Sequence, residues 1–264
     1  MRLYDAHNHL QDDRLSARLD SILATLPATG LSCAVVNGSA EDDWESVAAL
    51  ARKHPWVLPS FGLHPWYVKE RTPAWKERLL HYLAEFPHAA VGEVGLDRWI
   101  PDPDVPAQTE AFLWQLDVAS RENRPATIHC LRAWGLLADL LADHAVPARG
   151  FLLHSYGGPA EMVPIFAKRG AYFSLSPYFC HPRKEQQART FAQVPLDRLL
   201  AETDAPDMWP PDDQNPHPLL DPAQKPINHP ANLTVSYQKL AELREMPLES
   251  ISEQIEINFQ RLFL

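Results

Sequence analysis

The stretch Asp5-Ala6-His7-Asn8-His9 sets two imidazoles two residues apart, directly behind the short apolar run Leu3-Tyr4. Side chains alternate faces along a β-strand, so His7 and His9 point the same way and can grip one metal ion. Taken alone, the pair reads equally well as two solvated histidines. The choice rests on what the rest of the chain brings beside it.

Other metal-capable residues recur at the ends of apolar runs. They are His64 in Gly62-Leu63-His64-Pro65-Trp66, Glu93 in Val91-Gly92-Glu93-Val94-Gly95-Leu96-Asp97, His129, His154, and Asp204 in Glu202-Thr203-Asp204-Ala205-Pro206. Packing has no use for so many ionisable groups converging on one place, because each needs a partner to offset its desolvation. A divalent metal is such a partner. His7, His9, Glu93, His129, His154 and Asp204 are more ligands than one tetrahedral site takes, so two ions are expected. Glu93 could bridge them, with Gly92 and Gly95 giving its carboxylate room. Cys130 follows His129 directly and on a strand would face away from the metal. The imidazoles favour Zn²⁺, Ni²⁺ or Fe²⁺, while the carboxylates also allow Mn²⁺ or Mg²⁺. The seven other histidines fall mostly on helices or loops and read as solvated.

These residues converge only if the runs that carry them are strands of one sheet. Eight such runs occur, at Leu3–Ala6, Ser32–Val36, Val57–Phe61, Ala89–Val94, Ala126–His129, Phe151–His154, Ala171–Leu175 and Arg198–Glu202. Helical patterns alternate with them near 14–26, 41–53, 73–86, 107–123, 133–143, 159–169 and 183–193, with two more near 231–243 and 248–262. Strict alternation argues for a parallel sheet with right-handed crossovers. Eight repeats in 264 residues predict a single (β/α)8 TIM-type barrel over residues 1–264, with its site at the C-terminal strand ends. In that barrel His7, His9 and Asp204 come from neighbouring strands 1 and 8, and His129 and His154 from strands 5 and 6 on the far side. Thr72-Pro73 predicts a capped helix start, and Ser39-Ala40-Glu41-Asp42 resembles a capping box. The stretch 205–230 carries eight prolines and predicts a long, stiff loop forming a substrate-facing wall.

The net charge of −10 leaves no basic stripe of the kind that grips long duplex DNA. A phosphate ester would have to be met by bound cations. No run of about 18 apolar residues predicts a membrane span, and no signal pattern stands at the N-terminus. Three widely spaced cysteines fit reduced thiols. A cytoplasmic protein with no obligate protein partner is the expectation.

Taken together, the motifs resemble those of the TatD-like metal-dependent hydrolases of the amidohydrolase-like barrel superfamily. The similarity extends to Gln108, Phe112 and Gln115-Leu116, and to Asn228-His229-Pro230-Ala231-Asn232-Leu233, and so covers nearly the whole chain. The resemblance implies a deoxyribonuclease or exonuclease that hydrolyses phosphodiester bonds with two divalent metals, acting on DNA or a short oligonucleotide. Carried onto this sequence, it implies one ion on His7, His9, Glu93 and Asp204 and another on Glu93, His129 and His154. It sets His64 beside the scissile phosphate; alternatively, that ring caps its own loop. Glu202 would orient a water or an extra ion. Two segments depart from the family pattern. Lys225-Pro226-Ile227-Asn228-His229-Pro230 stands where Arg-Gly and Arg-Asn-Glu-Pro elements are common, and Ser155-Tyr156-Gly157-Gly158 replaces Cys-Phe-Ser-Gly. Both bear on substrate contacts rather than metal ligands.

Asp204, His64 and Glu93 are the expected catalytic residues, with Asp204 taking the proton of the attacking water. Trp66, Tyr178 and Trp209, with Trp99, are candidates for stacking bases, and Arg98 and Arg132, with Lys225, for holding phosphates. Two other readings stand beside this one. A barrel hydrolase of an amide, lactone or phosphotriester commonly bridges its metals with a carbamylated lysine, where this chain has Glu93. A non-catalytic scaffold would be expected to lack one of the six ligands.

Overall fold

The computed structural model describes residues 1–264. Eight parallel strands pair in chain order: β1 (Leu3–Asn8), β2 (Leu31–Asn37), β3 (Val57–Phe61), β4 (Ala90–Asp97), β5 (Ala126–Leu131), β6 (Phe151–Leu153), β7 (Ala171–Leu175) and β8 (Leu199–Ala201). The helices are α1 (Leu19–Thr25), α2 (Trp44–Lys53), α3 (Trp75–Glu85), α4 (Val105–Arg121), α5 (Trp134–Asp143), α6 (Val163–Lys168), α7 (Glu185–Ala188), α8 (Leu233–Arg244) and α9 (Leu248–Phe263). This is the TIM-type (β/α)8 fold. No helix is long and apolar enough to cross a membrane.

The helices bury apolar stripes at helical spacing. In α4 the buried positions are Gln108, Ala111, Phe112, Gln115, Leu116, Val118 and Ala119, an i, i+3, i+4, i+7 face. Its start is set by Pro106 in the first turn and by Asp104, whose carboxylate accepts from Ala107 N at 3.0 Å.

The barrel is stitched shut between β8 and β1 by a mixture of backbone and side chains. Asp204 N–H donates to His7 O at 2.9 Å and His9 N–H to Ala205 O at 2.7 Å. Asp5 accepts from Thr203 N and Oγ1 at 2.9 and 2.6 Å. Deeper in the seam, the Tyr237 hydroxyl from α8 accepts from Tyr4 N at 2.9 Å and donates to Tyr4 O at 3.1 Å. From α9, Asn258 Nδ2 donates to Leu196 O and Leu199 O, both at 2.8 Å. Replacing Tyr237 by Phe strands both backbone groups of Tyr4 in a buried place. We expect a loss of about 1–3 kcal/mol, read as a lower urea midpoint at unchanged m-value. An unchanged midpoint would show that the seam does not depend on this hydroxyl.

Several local expectations give way to tertiary contacts. The helix after Thr72-Pro73 begins at Trp75; Thr72 Oγ1 accepts from Ala74 N at 3.3 Å but donates to Glu41 Oε1 at 2.7 Å. Ser39 and Asp42 form no capping box, because the helix starts only at Trp44 and it is Asp43 that accepts from Ser39 N, at 2.9 Å; Glu41 is taken by Thr72 and Arg78. The segment 183–193 is no continuous helix. It breaks into 3-10 turns around the single turn of α7, since Ala188, Thr190 and Phe191 are its only buried residues and give no lasting apolar stripe. Segment 205–230 holds the hairpin β9 (Leu219–Leu220) and β10 (Pro226–Ile227), tied back by Asn228, which donates through N to Pro206 O and through Nδ2 to Thr203 O, both at 2.8 Å.

Candidate metal centre

Strand ends and the loops after them are shaped to aim side chains inward. Arg132, Ser155 and Asp204, following β5, β6 and β8, have left-handed backbones with φ of 53°, 42° and 53°. Such a conformation costs a non-glycine residue on the order of 1–3 kcal/mol and persists only where surrounding contacts hold it. For Asp204 the holding contacts are its N–H to His7 O at 2.9 Å and the Asp207 N–H to its own carbonyl at 2.8 Å. Helix α4 acts as a clamp. Gln108 makes a two-way bond with the Asp97 backbone, accepting from N and donating to O at 2.9 Å each. Gln115, two turns on, does the same for Leu63 at 2.7 and 3.2 Å, which fixes the loop that carries His64. The sequence similarity included both glutamines, and the fold supplies their role.

The six expected ligands meet around one carboxylate. Glu93 Oε2 lies 3.2 Å from His7 Nε2 and 3.2 Å from His9 Nε2, which are themselves 3.2 Å apart. Asp204 Oδ1 stands 3.7 Å from each of those nitrogens. Glu93 Oε1 faces the other way, 2.9 Å from His154 Nε2 and 3.2 Å from His129 Nδ1, with 3.2 Å between those nitrogens. A tetrahedral Zn²⁺ site has ligand–ligand edges of about 3.4 Å, so both clusters have the right size for a metal. Strands β5 and β6 stand across the barrel from β1 and β8, yet their histidines meet: His7 stacks on His154 with ring centres 4.0 Å apart and planes 14° from parallel. An eight-stranded barrel is only wide enough inside for side chains to fill it.

Hydrogen bonds at the back of the rings test whether a cation fits. His9 Nδ1–H donates to Asn37 O at 2.8 Å, and His129 Nε2–H donates to Asp97 Oδ2 at 3.0 Å. A neutral imidazole carries one proton, so His9 Nε2 and His129 Nδ1 present bare lone pairs to the Glu93 oxygens. Acceptors facing acceptors need positive charge between them. His64 is different. Its Nδ1 accepts from Trp66 N at 3.2 Å, so its Nε2–H is a donor, aimed at Glu93 Oε1 3.2 Å away. The ring therefore caps its loop and still offers a proton to the centre.

The charges follow from this geometry. Burial opposes ionisation of Glu93, but His64, His154 and His7 outweigh it and hold its carboxyl well below the usual range. Burial likewise opposes charging His9, yet Glu93 and Asp204 push it up to about 9. His154 is raised further against burial by Glu93 and Glu202, and His129 is raised by Asp97 and Glu93. Burial wins at His7, pushed down to about 3, and at His64, down to about 4. Asp204 is raised by burial and by the nearby Glu202 and Glu93 carboxylates. Such a cluster takes up positive charge as protons or as a divalent ion, and the ligand set suits the ion.

Some roles were not visible in the sequence. Asp97 holds His129 from behind, accepts Trp66 Nε1 at 2.6 Å and accepts Trp99 N at 2.6 Å. Its signal was present, since residues 93, 95 and 97 share a strand face. Gly92 and Gly95 do not make room for Glu93. A Cβ on Gly92 would strike Thr127 Oγ1 at 1.8 Å and one on Gly95 would strike His129 O at 1.9 Å, so they admit β5 instead. Glu202 stands behind His154, with Oε1 3.7 Å from His154 Nδ1 and its other oxygen bonded to Ser174 Oγ. His181 and His229, read as solvated, are half-buried: His181 Nε2 bonds Trp209 O at 3.1 Å, and His229 accepts from Ala231 N at 3.0 Å. Cys130 is buried outside the cluster. Asp97→Asn removes the anion that orients His129. We expect metal affinity to drop about 10- to 100-fold when titrated by calorimetry, and equal affinity would remove Asp97 from the site.

An eight-stranded parallel barrel that gathers imidazoles and carboxylates over its strand ends has the build of a metal-dependent hydrolase. Residues 4–264 match the family model described as TatD related DNase, and the chain belongs to that family. It is 28% identical over 264 residues to the Escherichia coli protein called uncharacterized metal-dependent hydrolase YjjV, covering 99% of this chain and 98% of that one. The crystal structure of YjjV aligns with a TM-score of 0.89, over 99% of this chain and 98% of its own. The Erwinia tasmaniensis protein named 3'-5' ssDNA/RNA exonuclease TatD is 28% identical over 266 residues, covering 99% of each chain. A TatD family hydrolase of Entamoeba histolytica, 16% identical, shares the fold with a TM-score of 0.85, over 100% of this chain and 98% of its own.

Proposed function

We propose that this chain is a 3'-to-5' exonuclease that trims single-stranded nucleic acid with two divalent ions held across Glu93. The observation that carries the reading is the division of that carboxylate, Oε2 toward His7 and His9 and Oε1 toward His129 and His154. His7, His9, Glu93 and Asp204 would hold one ion; Glu93, His129 and His154 would hold the other. Ions so held neutralise a phosphodiester and lower the pKa of water. Relatives of matching length named as exonucleases support the choice of ester.

The chain's own groups divide the remaining work. Asp204 accepts the proton of the attacking water, as a carboxylate at the edge of the first cluster. His64 Nε2–H donates to a phosphate oxygen. Arg98 and Arg132, both exposed and outside every ion pair, stand after adjacent strands, where Arg98 N donates to Leu131 O at 3.0 Å; they anchor phosphates. Tyr178 carries Arg183 and Lys184 over its ring at 5.2 and 5.1 Å, and His181 links this patch to Trp209. With a net charge of −10, contact is confined to strand ends and short oligonucleotides. Residues 1–264 work as one unit, and the three free cysteines suit the reducing cytoplasm.

The test is a 3'-labelled oligonucleotide, single-stranded or duplex, with Mn²⁺, Mg²⁺ or Zn²⁺, or with EDTA. We expect metal-dependent trimming of the single strand that EDTA abolishes. A chain that trims no nucleic acid with any of these ions, yet opens lactones or amides, would refute the reading.

A further inference from the structure

Trp66 and Trp99 are 47% and 59% exposed, among the most exposed large apolar side chains of the chain. Both lie just past strand ends at the catalytic mouth, after β3 and β4. Leaving two indoles in water forfeits a large burial gain, and clustered exposed aromatics mark contact sites. Neither is loose. Both are tied to the one buried carboxylate of Asp97, Trp66 through its indole Nε1–H on Oδ2 and Trp99 through its backbone N–H on Oδ1, each at 2.6 Å. Asp97 Oδ2 also receives His129 Nε2–H at 3.0 Å. A continuous set of rings leads from the mouth to the centre. Trp66 meets His64 edge-on at 5.2 Å between ring centres, and His64 meets His129 at 4.6 Å. The exposed arginines Arg98 and Arg132 flank this rim without acidic partners.

We propose that Trp66 and Trp99 form a stacking platform for the unpaired base of the 3'-terminal nucleotide, locked in register with the metal centre through Asp97. The inference rests on the nuclease reading and adds to it what selects a single-stranded end. A base seated on Trp66 stands one ring away from His64, whose Nε2–H faces Glu93, so its 5'-side phosphodiester link to the rest of the strand reaches the donor. The occupant follows from chemistry. A flat π-face recognises any base, the neighbouring guanidinium groups suit phosphate, and a paired base inside a duplex has no free face to offer. Asp97 is a positioning residue here: it touches no substrate but fixes the platform and His129 together.

The binding test uses the metal-free protein, where no turnover occurs. Oligothymidylate should quench tryptophan fluorescence, and Trp66→Ala and Trp99→Ala should each weaken its binding by roughly tenfold. A duplex of the same length should bind more weakly than the single strand. A second arm compares metal-loaded cleavage of strands ending in thymidine or in 5,6-dihydrothymidine, whose saturated ring keeps the hydrogen-bonding groups but loses the π-face. The wild type should favour the aromatic base through KM, and the preference should collapse toward unity in Trp99→Ala. Binding by both tryptophan variants equal to wild type, or no discrimination against the saturated base in the wild type, overturns the platform. Absence of any nucleic-acid cleavage overturns the nuclease reading instead, while quenching in the metal-free protein still reads the platform directly.

Discussion

Glu93→Ala is expected to lose activity on the order of 10³-fold or more and, in the same protein, to lose metal on both sides of the centre. No other side chain carries both consequences. Oε2 lies 3.2 Å from two imidazole nitrogens, and Oε1 lies 2.9 and 3.2 Å from two more. Removing the carboxylate leaves buried imidazoles with no common anion, which a neutral replacement cannot supply. Glu93→Gln should therefore fail nearly as badly, despite keeping the shape. His9→Ala should lower occupancy on the His7 side and spare the His129 side. Metal content by mass spectrometry, taken with kcat/KM, separates these cases. Full metal content in Glu93→Ala would mean that the carboxylate bridges nothing.

Asp204→Asn has the second largest expected effect, a fall in kcat of about 10²- to 10⁴-fold with little change in KM. The replacement isolates charge from backbone. Position 204 has φ of 53°, and asparagine tolerates that left-handed conformation. Alanine would add strain and confuse the result. Asp204 Oδ1 is 3.7 Å from His7 Nε2 and His9 Nε2, against 3.2 Å for Glu93 Oε2, so it is the loosest corner of its cluster. His7, His9 and Glu93 should hold an ion without it, at lower affinity. The defect therefore belongs mainly to proton removal, and activity within a few-fold of wild type would assign that proton to another group.

The strands were readable because each is a short apolar run between helix-length patterns, and a period-two repeat places His7 with His9. Glu93 stood out as a charge inside β4, where burial needs a partner. Asp97 was hidden by its ordinary appearance, although it shares the face of Glu93 and ties His129 to Trp66. Tyr237 could not be read at all. It serves the Tyr4 backbone 233 residues away, and only closure of the barrel brings the two together. Ser39-Ala40-Glu41-Asp42 misled too: Ser39 and Asp42 have the spacing of a capping box, but the helix starts only at Trp44 and Asp43 takes the Ser39 N–H. The glycines beside Glu93 answer to the approach of β5, which no local pattern reveals.

Anomalous diffraction from crystals of the protein loaded with Mn²⁺ or Zn²⁺ shows whether one carboxylate, Glu93, joins two metal sites. Two peaks are expected, one between Glu93 Oε2 and the His7, His9 and Asp204 donors, the other between Glu93 Oε1 and the His129 and His154 donors. A single peak at full loading, or two peaks that leave Glu93 uncoordinated, would contradict this bridge.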